Sequence, residues 1–433
     1  MQWSRYNEII SATDGFCYLF NCFTKQWIKM EATLSTLLNE YRNVPDKLLY
    51  VHPALYKALE ENDFLVNNAE EEANKCLQSI QEKLEDSTVW KLTINPTLDC
   101  NLRCWYCYES HLKGSAMSEG TMKKVKKLIS KELGKGKVKM LQLAFFGGEP
   151  LLKYSSVVLP FLVFTKQACE KYGVNLGVSF TSNCVCLTTK VVDKLKALCE
   201  NVSVQVPFDG GKEFHNAVKY FANGKGSYDI VRNNIIYAIE QGIRVNIRCN
   251  YTLKSLPSFQ NVIDDFKDYH HYPNLRFSFH KVWQESDSSE LKEEIKKFKN
   301  YTANYQFKSN INTHFGSSVN LCYGDYTQNI VVNYNGDIFR CTARDFKPEH
   351  RLGVLAEDGA IVYNLSDSRR IKLRFTKDCA MCKRLPFCPI CSQVRWESSD
   401  GHCPVRISDE DIKVNIHKYF YDLTGVMYVK ANA

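Results

Sequence analysis

From Trp90 to Phe279 the chain alternates six short apolar runs with five helix-like segments. The runs are Trp90–Ile94, Met140–Phe146, Leu176–Phe180, Val202–Val206, Val245–Tyr251 and Leu275–Phe279. They are rich in branched and aromatic residues, as buried strands are. The helix-like segments run from about Ser118 to Leu133, Val157 to Tyr172, Thr189 to Leu198, Tyr228 to Glu240 and Phe259 to Tyr269. Ser118 suits a helix N-cap. Such alternation predicts an α/β fold of parallel βα units, either an open sheet or a partial (β/α)6 TIM barrel. In both, functional residues gather at the carboxyl ends of the strands.

The flanks differ in character. Residues 1–75 pair a hairpin pattern (Phe16–Asn21, then Gln26–Met30) with two helix segments (Ala32–Tyr41, Pro53–Glu61) and a strand at Phe64–Val66. This predicts a small winged-helix-like domain. The polar stretch Asn67–Asp86 reads as a linker helix, set at 76–89 between this domain and a barrel over 90–310. Residues 311–433 are expected to form a Cys-rich third domain and tail, with a hairpin signal at Asn335-Gly336.

Composition narrows the class. With 44% apolar and 24% charged residues in 433, the chain is neither disordered nor collagen-like. A net charge of +8 is dispersed, and its densest run, Lys123–Lys127, reads as a solvated helix face, so no nucleic-acid partner is inferred. No signal-peptide h-region opens the chain. The longest apolar run, Val157–Phe164, is far short of the roughly 20 residues a bilayer needs. We therefore expect a cytoplasmic protein with no membrane partner. Its 18 cysteines, reduced there, should bind metal where they cluster rather than pair.

Cys100, Cys104 and Cys107 form a C-x3-C-x2-C loop just past the first apolar run. Three thiolates on one short loop suit three irons of a cubane, since soft thiolates select iron–sulfur clusters and zinc. The fourth iron then has no protein ligand, and an open position signals chemistry rather than scaffolding. A zinc loop or unrelated buried thiols are the plainer readings. Zinc wants four protein ligands, and His111 has no familiar finger spacing.

The segment Cys100-Asn101-Leu102-Arg103-Cys104-Trp105-Tyr106-Cys107 closely resembles the signature loop of radical S-adenosylmethionine (SAM) enzymes, Tyr106 being the aromatic before the third cysteine. The resemblance implies a 4Fe–4S cluster on the three cysteines and SAM at its open iron. Reductive cleavage then gives a 5′-deoxyadenosyl radical that abstracts a substrate hydrogen. Gly147-Gly148-Glu149-Pro150, ending the second run, is similar to the family's GGE motif, which holds the SAM amino group. Read alone it is a turn whose glycines allow close backbone approach. By the same resemblance Asn183 lies near the SAM ribose, and Asp209-Gly210 matches an Asp-Gly of related enzymes, with Pro207 a departure. Arg248 and Asn250 on the fifth run are ordinary strand residues or reach the SAM carboxylate or substrate.

A second set holds Cys322, Cys341, Cys379, Cys382, Cys388, Cys391 and Cys403, with Gly336 five residues before Cys341. Seven cysteines in so short a stretch suggest metal, zinc being the plain alternative. The pattern resembles the SPASM extension of radical SAM peptide-modifying enzymes, which binds two auxiliary 4Fe–4S clusters. That implies Cys379, Cys382, Cys388 and Cys403 on the distal cluster, and Cys322, Cys341 and Cys391 on the nearer one. The x2 spacer before Cys391 departs from the family's usual x3, and Gln328 stands where some members have a further cysteine. Buried small hydrophobe is the default for Cys17, Cys22, Cys76, Cys169, Cys184, Cys186, Cys199 and Cys249.

Members of this group mostly act on peptides or protein side chains. The N-terminal pattern resembles the recognition element of maturases of ribosomally made peptides, which takes a leader peptide as an added strand. A peptide maturase forming a thioether or other crosslink, fed by a donor such as flavodoxin or ferredoxin, is the leading expectation. The alternative is an anaerobic sulfatase-maturing enzyme, where an Asp directly follows the cysteine of the G-x4-C motif. Here Thr342 follows Cys341 and Asp345 comes later, so Asp345 is the catalytic-base candidate or a loop ion-pair partner. A zinc-stapled binding protein without catalysis is the reading from another class.

Overall fold

The computed structural model describes residues 1–107, 109, 111–302, 321–364, 374–398, 402–405 and 407–429, with 308–312 and 377 by backbone alone. Two compact units emerge. One joins Met1–Glu85, Gly316–Tyr326 and Ser368–Ala433; the other joins Asp86–Phe315 and Thr327–Asp367.

The first unit contains strands β1 (Gln2–Trp3), β2 (Asn7–Ser11), β3 (Cys17–Asn21), β4 (Trp27–Met30) and β5 (Leu65–Val66). β2, β3 and β4 form an antiparallel sheet, and β1 pairs with β5. Helices Ala32–Tyr41 and Pro53–Glu61 fall where the sequence predicts them. The helix Ala69–Glu85 begins earlier than the expected 76–89 linker and is packed, burying Ala73, Cys76, Ile80 and Leu84 at three- and four-residue spacing. The chain's end returns to this unit. Phe420 of the helix Asp409–Thr424 meets Phe20 with ring centroids 5.2 Å apart. Val429 N–H then donates to Ser11 carbonyl at 2.8 Å, covering the outer edge of β2.

The second unit is built on an eleven-stranded sheet. The six expected runs are β6 (Val89–Ile94), β8 (Met140–Phe145), β9 (Asn175–Thr181), β10 (Val202–Phe208), β12 (Arg244–Tyr251) and β13 (Leu275–Lys281). All pair in parallel, and β14 (Lys308–Asn312) continues beyond β13. The order is that of a partial barrel. β7 (Leu102–Arg103) and β11 (Tyr220–Phe221) make a separate antiparallel pair. β15 (Asn329–Val332) joins β6 in parallel, followed by the antiparallel β16 (Asp337–Phe339), β17 (Gly353–Leu355) and β18 (Ile361–Tyr363). Thus part of the Cys-rich region belongs to the sheet, because β6 would otherwise leave a strand edge unpaired. Asn335-Gly336 makes the expected β15–β16 turn, with Gly336 at φ +89°.

One sheet face is core: Leu92, Leu143, Phe180, Val206, Ile247 and Phe277 are fully buried, or nearly so. The alternate positions include Ser179, Thr181, Gln205, Asn246, Arg248, Asn250 and His280. Parallel strands are usually apolar on both faces, so a polar face marks a surface reserved for a ligand rather than for packing. No helix among the described residues is long and apolar enough to cross a membrane.

Candidate functional site

The cysteine loop leaves the carboxyl end of β6. Thr97 Oγ1 accepts from Asp99 N–H at 3.0 Å, and Asp99 Oδ1 accepts from Cys100 N–H at 2.9 Å. Arg103 Nη1 donates to the carbonyls of Cys100 (2.8 Å) and Leu102 (3.0 Å), curling the loop around its guanidinium. Pairing of β7 with β11 then places Cys104 beside the segment that starts at Lys219.

Each sulfur faces a different nitrogen. Asn183 Nδ2 lies 3.7 Å from Cys100 Sγ, Lys219 Nζ 3.4 Å from Cys104 Sγ, and His111 Nε2 3.2 Å from Cys107 Sγ. Burial pushes the Cys100 thiol up to about 12 and the Cys107 thiol up to about 11. These two thiols therefore stay protonated when free, and binding a metal there must displace those protons. No three His, Cys, Asp or Glu among the described residues are grouped tightly enough for one ion. Three soft donors on one loop, each with its own nitrogen partner, fit an iron–sulfur cluster.

The Gly-Gly-Glu-Pro segment departs from its simple reading. A Cβ on Gly147, itself at φ +108°, would lie 2.3 Å from Thr97 carbonyl oxygen. One on Gly148 would lie 2.3 Å from that of Asp99. The glycines thus admit the root of the cysteine loop. Gly148 and Glu149 N–H groups donate to Thr97 and Asp99 carbonyls at 3.1 and 2.8 Å. The fully buried Glu149 accepts from Leu151 N–H (2.9 Å), Ser182 Oγ (2.8 Å) and Asn183 N–H (2.8 Å). Burial nevertheless lifts its carboxyl to about 7. Pro150 opens the short helical turn that follows. Asn183 Nδ2 also donates to Asn101 Oδ1 at 2.7 Å, so Asn183 stands directly over the first cysteine.

Tyr106 is tied down through its hydroxyl. It donates to Asp209 Oδ1 at 2.5 Å and accepts from Lys219 Nζ (3.0 Å) and Asn250 Nδ2 (3.2 Å). Arg248 Nε donates to Asn250 Oδ1 at 3.0 Å, bringing the fifth-strand pair into the same cluster. Lys219 and Asp209, both 4% exposed, form an ion pair at 3.1 Å. Burial disfavours the Lys219 charge, yet Asp209, Tyr106 and Cys104 outweigh it and hold its pKa well above the ordinary value. Pro207 becomes intelligible. Gln205 carbonyl accepts from Ser182 N–H at 3.1 Å, and Pro207, two residues on, faces the same side where pairing with β9 has ended. The missing N–H costs no ladder bond there.

The second cysteine set divides between the units. In the first, Cys322 and Cys391 thiols hydrogen-bond to each other, which lowers the Cys391 thiol and raises that of Cys322. Asp325, three residues past Cys322, accepts from Ser392 N–H at 3.0 Å and from its hydroxyl, clamping the two cysteine segments together. Cys382 feels Cys388, Cys379 and Cys403, each raising its pKa after the larger effect of burial. Arg374, Arg384 and Arg395 are buried in this unit, and Arg395 Nη2 lies 3.7 Å from Cys388 Sγ. Buried guanidiniums beside thiols suit an anionic, thiolate-held centre. Cys341 belongs to the second unit, just past β16, and Gln328 contributes its carbonyl to Lys91 N–H at 2.8 Å. Burial works to raise the Asp345 carboxyl, but pairing with Lys347 (2.7 Å) and His350 (2.6 Å) outweighs it and holds the carboxylate below the usual range. Of the other eight cysteines only Cys186 is half-exposed, with Asn101 Nδ2 at 3.9 Å; the rest are buried. Sequence reasoning missed Lys219, Ser182, Asp325 and Arg395, none of which lies in a spaced motif.

Residues 94–257 match the family model of the Radical SAM superfamily. Over 153 residues, 34% of this chain and 40% of the relative, the chain is 31% identical to a cysteine-type anaerobic sulfatase-maturating enzyme of Clostridium novyi (strain NT). The chain spans about half the length of the curated relatives it matches. In fold it is similar to native anSMEcpe with bound AdoMet, at TM-score 0.54 and 18% identity over 77% of this chain and 96% of that one. It is likewise similar to Streptococcus suis SuiB bound to precursor peptide SuiA, at TM-score 0.50 and 16% identity over 92% and 97%.

Proposed function

We propose that this chain, whose residues 94–257 match the model of the Radical SAM superfamily, is an enzyme that uses SAM to modify a ribosomally made precursor peptide. The three sulfurs, each facing its own nitrogen at the strand ends, carry this reading. Cys100, Cys104 and Cys107 would hold a 4Fe–4S cluster, which with SAM bound would supply the one-electron chemistry for hydrogen abstraction by a 5′-deoxyadenosyl radical. Asn183, Arg248, Tyr106 and the Gly147–Pro150 turn would bind and orient SAM. The loop residues do no proton chemistry themselves. Asn183 and Glu149 fix the loop against β9, and Tyr106 fixes it against β10 and β12.

Cys379, Cys382, Cys388 and Cys403 would hold one auxiliary cluster, and Cys322 and Cys391, whose thiols hydrogen-bond to each other, would serve another. Asp345 is the proposed base, its low pKa keeping it ionised at neutral pH. The leader is proposed to add to β4, whose outer edge carries no strand among the described residues, while the chain's own Met427–Val429 occupies that of β2. A flavodoxin- or ferredoxin-class donor would supply electrons.

Formylglycine formation is the second reading, favoured by the 31% identity to the Clostridium novyi relative. Thr342 after Cys341 speaks for crosslinking instead. Anaerobic iron and sulfide analysis tests the enzyme reading: about 10 to 12 irons per chain are expected if cubanes fill all three sites. Zinc without iron would end it. With a peptide substrate, an aldehyde-trapping probe separates formylglycine from a crosslink.

A further inference from the structure

We propose that Lys219 is a positioning residue for the iron–sulfur cluster of the Cys100–Cys107 loop: its ammonium, shared between Cys104 Sγ and Asp209, sets how readily that cluster accepts an electron. The inference rests on the radical SAM reading of the site.

A buried lysine is costly unless something at its position needs the charge. Asp209 alone does not explain this one, because the same Nζ reaches Asp209 at 3.1 Å, Tyr106 hydroxyl at 3.0 Å and Cys104 Sγ at 3.4 Å. An ammonium has three protons to donate, and here each has an acceptor. Its position is fixed by backbone. Lys219 N–H donates to His215 carbonyl at 2.7 Å, Ser227 Oγ donates to Lys219 carbonyl at 2.8 Å, and the next residue, Tyr220, is in register with Arg103, the neighbour of Cys104. The chain thus delivers one cation to one ligand sulfur.

Hydrogen bonds to ligand sulfurs and nearby charge are the main protein controls on such a cluster's potential. A donor and a positive charge on Cys104 favour the reduced, more negative state. Asp209 works against this by drawing the ammonium away and adding a negative charge. The pair is therefore a graded device. One electron enters from an external low-potential one-electron donor, reducing the cluster and oxidising the donor, and no residue is consumed.

The test is an EPR-monitored redox titration of the full-length holoprotein with dithionite, following the signal that responds to added SAM. At the potential that half-reduces the native cluster, Lys219→Met should cut the reduced-to-oxidised ratio at least tenfold, equivalent to ~59 mV lower for one electron. Lys219→Arg should restore most of the loss. Asp209→Asn, which keeps the acceptor for Tyr106, should shift the ratio in the opposite direction. If Lys219→Met loses iron, the Asp209→Asn shift decides. A midpoint that ignores the variants that load iron overturns this inference alone. Absence of any SAM-responsive signal in the native chain overturns both it and the radical SAM reading.

Discussion

The backbone N–H of Asn183 donates to Glu149 Oε2 at 2.8 Å, so the residue that stands over the first cysteine is held by the last residue of the Gly-Gly-Glu motif. Through this bond the ends of β8 and β9 and the root of the cysteine loop form one rigid corner. Glu149 serves that corner as its common acceptor.

Ser182→Ala removes one donor from Glu149 and the acceptor of Cys184 N–H (2.9 Å), and should destabilise the protein by about 1–3 kcal/mol in urea unfolding. Glu149 titrates near 7 when folded, against about 4.3 in an unfolded chain. Its contribution to stability therefore falls as pH rises between those values and is level above 7. With a donor gone the folded value rises further, so the loss in Ser182→Ala should be larger at pH 8 than at pH 5.

Gly148→Ala should part the cysteine loop from its support. The added methyl would meet Asp99 and Leu98 carbonyl oxygens at 2.3 and 2.6 Å, and backbone cannot yield as a side chain can. A cost of roughly 1–3 kcal/mol or more is expected, with the iron proposed for Cys100, Cys104 and Cys107 lost first. Iron analysis and EPR of the purified variant check this.

Asp325→Ala leaves Ser392 N–H and hydroxyl without their buried acceptor and should cost about 1.5–3 kcal/mol by thermal melt.

Glu8 lies between Lys383 (2.5 Å) and His417 (3.6 Å), and these lower its pKa despite the opposing effect of burial. A depressed carboxylate contributes stability above its unfolded value of about 4.3, lost as pH falls through the folded one. Acid unfolding of Glu8→Gln should accordingly show a flatter slope below about pH 4.3, with lower stability at pH 7.

The six barrel strands and the helices between them were legible because apolar period and length are local properties. So was the Asn335-Gly336 turn, whose residue types match its dihedrals. Pairing of β15 with β6 was not legible, since parallel partners far apart in sequence leave no local mark. Lys219 escaped for the same reason: two strands of two residues each bring it to Cys104. The Gly147-Gly148 motif was legible as a motif while its immediate physical cause, the approach of the chain's own Thr97–Asp99 backbone, needed coordinates.

On the proposed reading, the Cys100, Cys104 and Cys107 loop makes this chain a SAM-cleaving enzyme. The most direct measurement is 5′-deoxyadenosine formed from SAM by anaerobically reconstituted protein with dithionite, native against the Cys100→Ala, Cys104→Ala, Cys107→Ala triple variant. Product is expected from the native chain and none from the variant, which should keep its remaining iron. Equal product from both would contradict it.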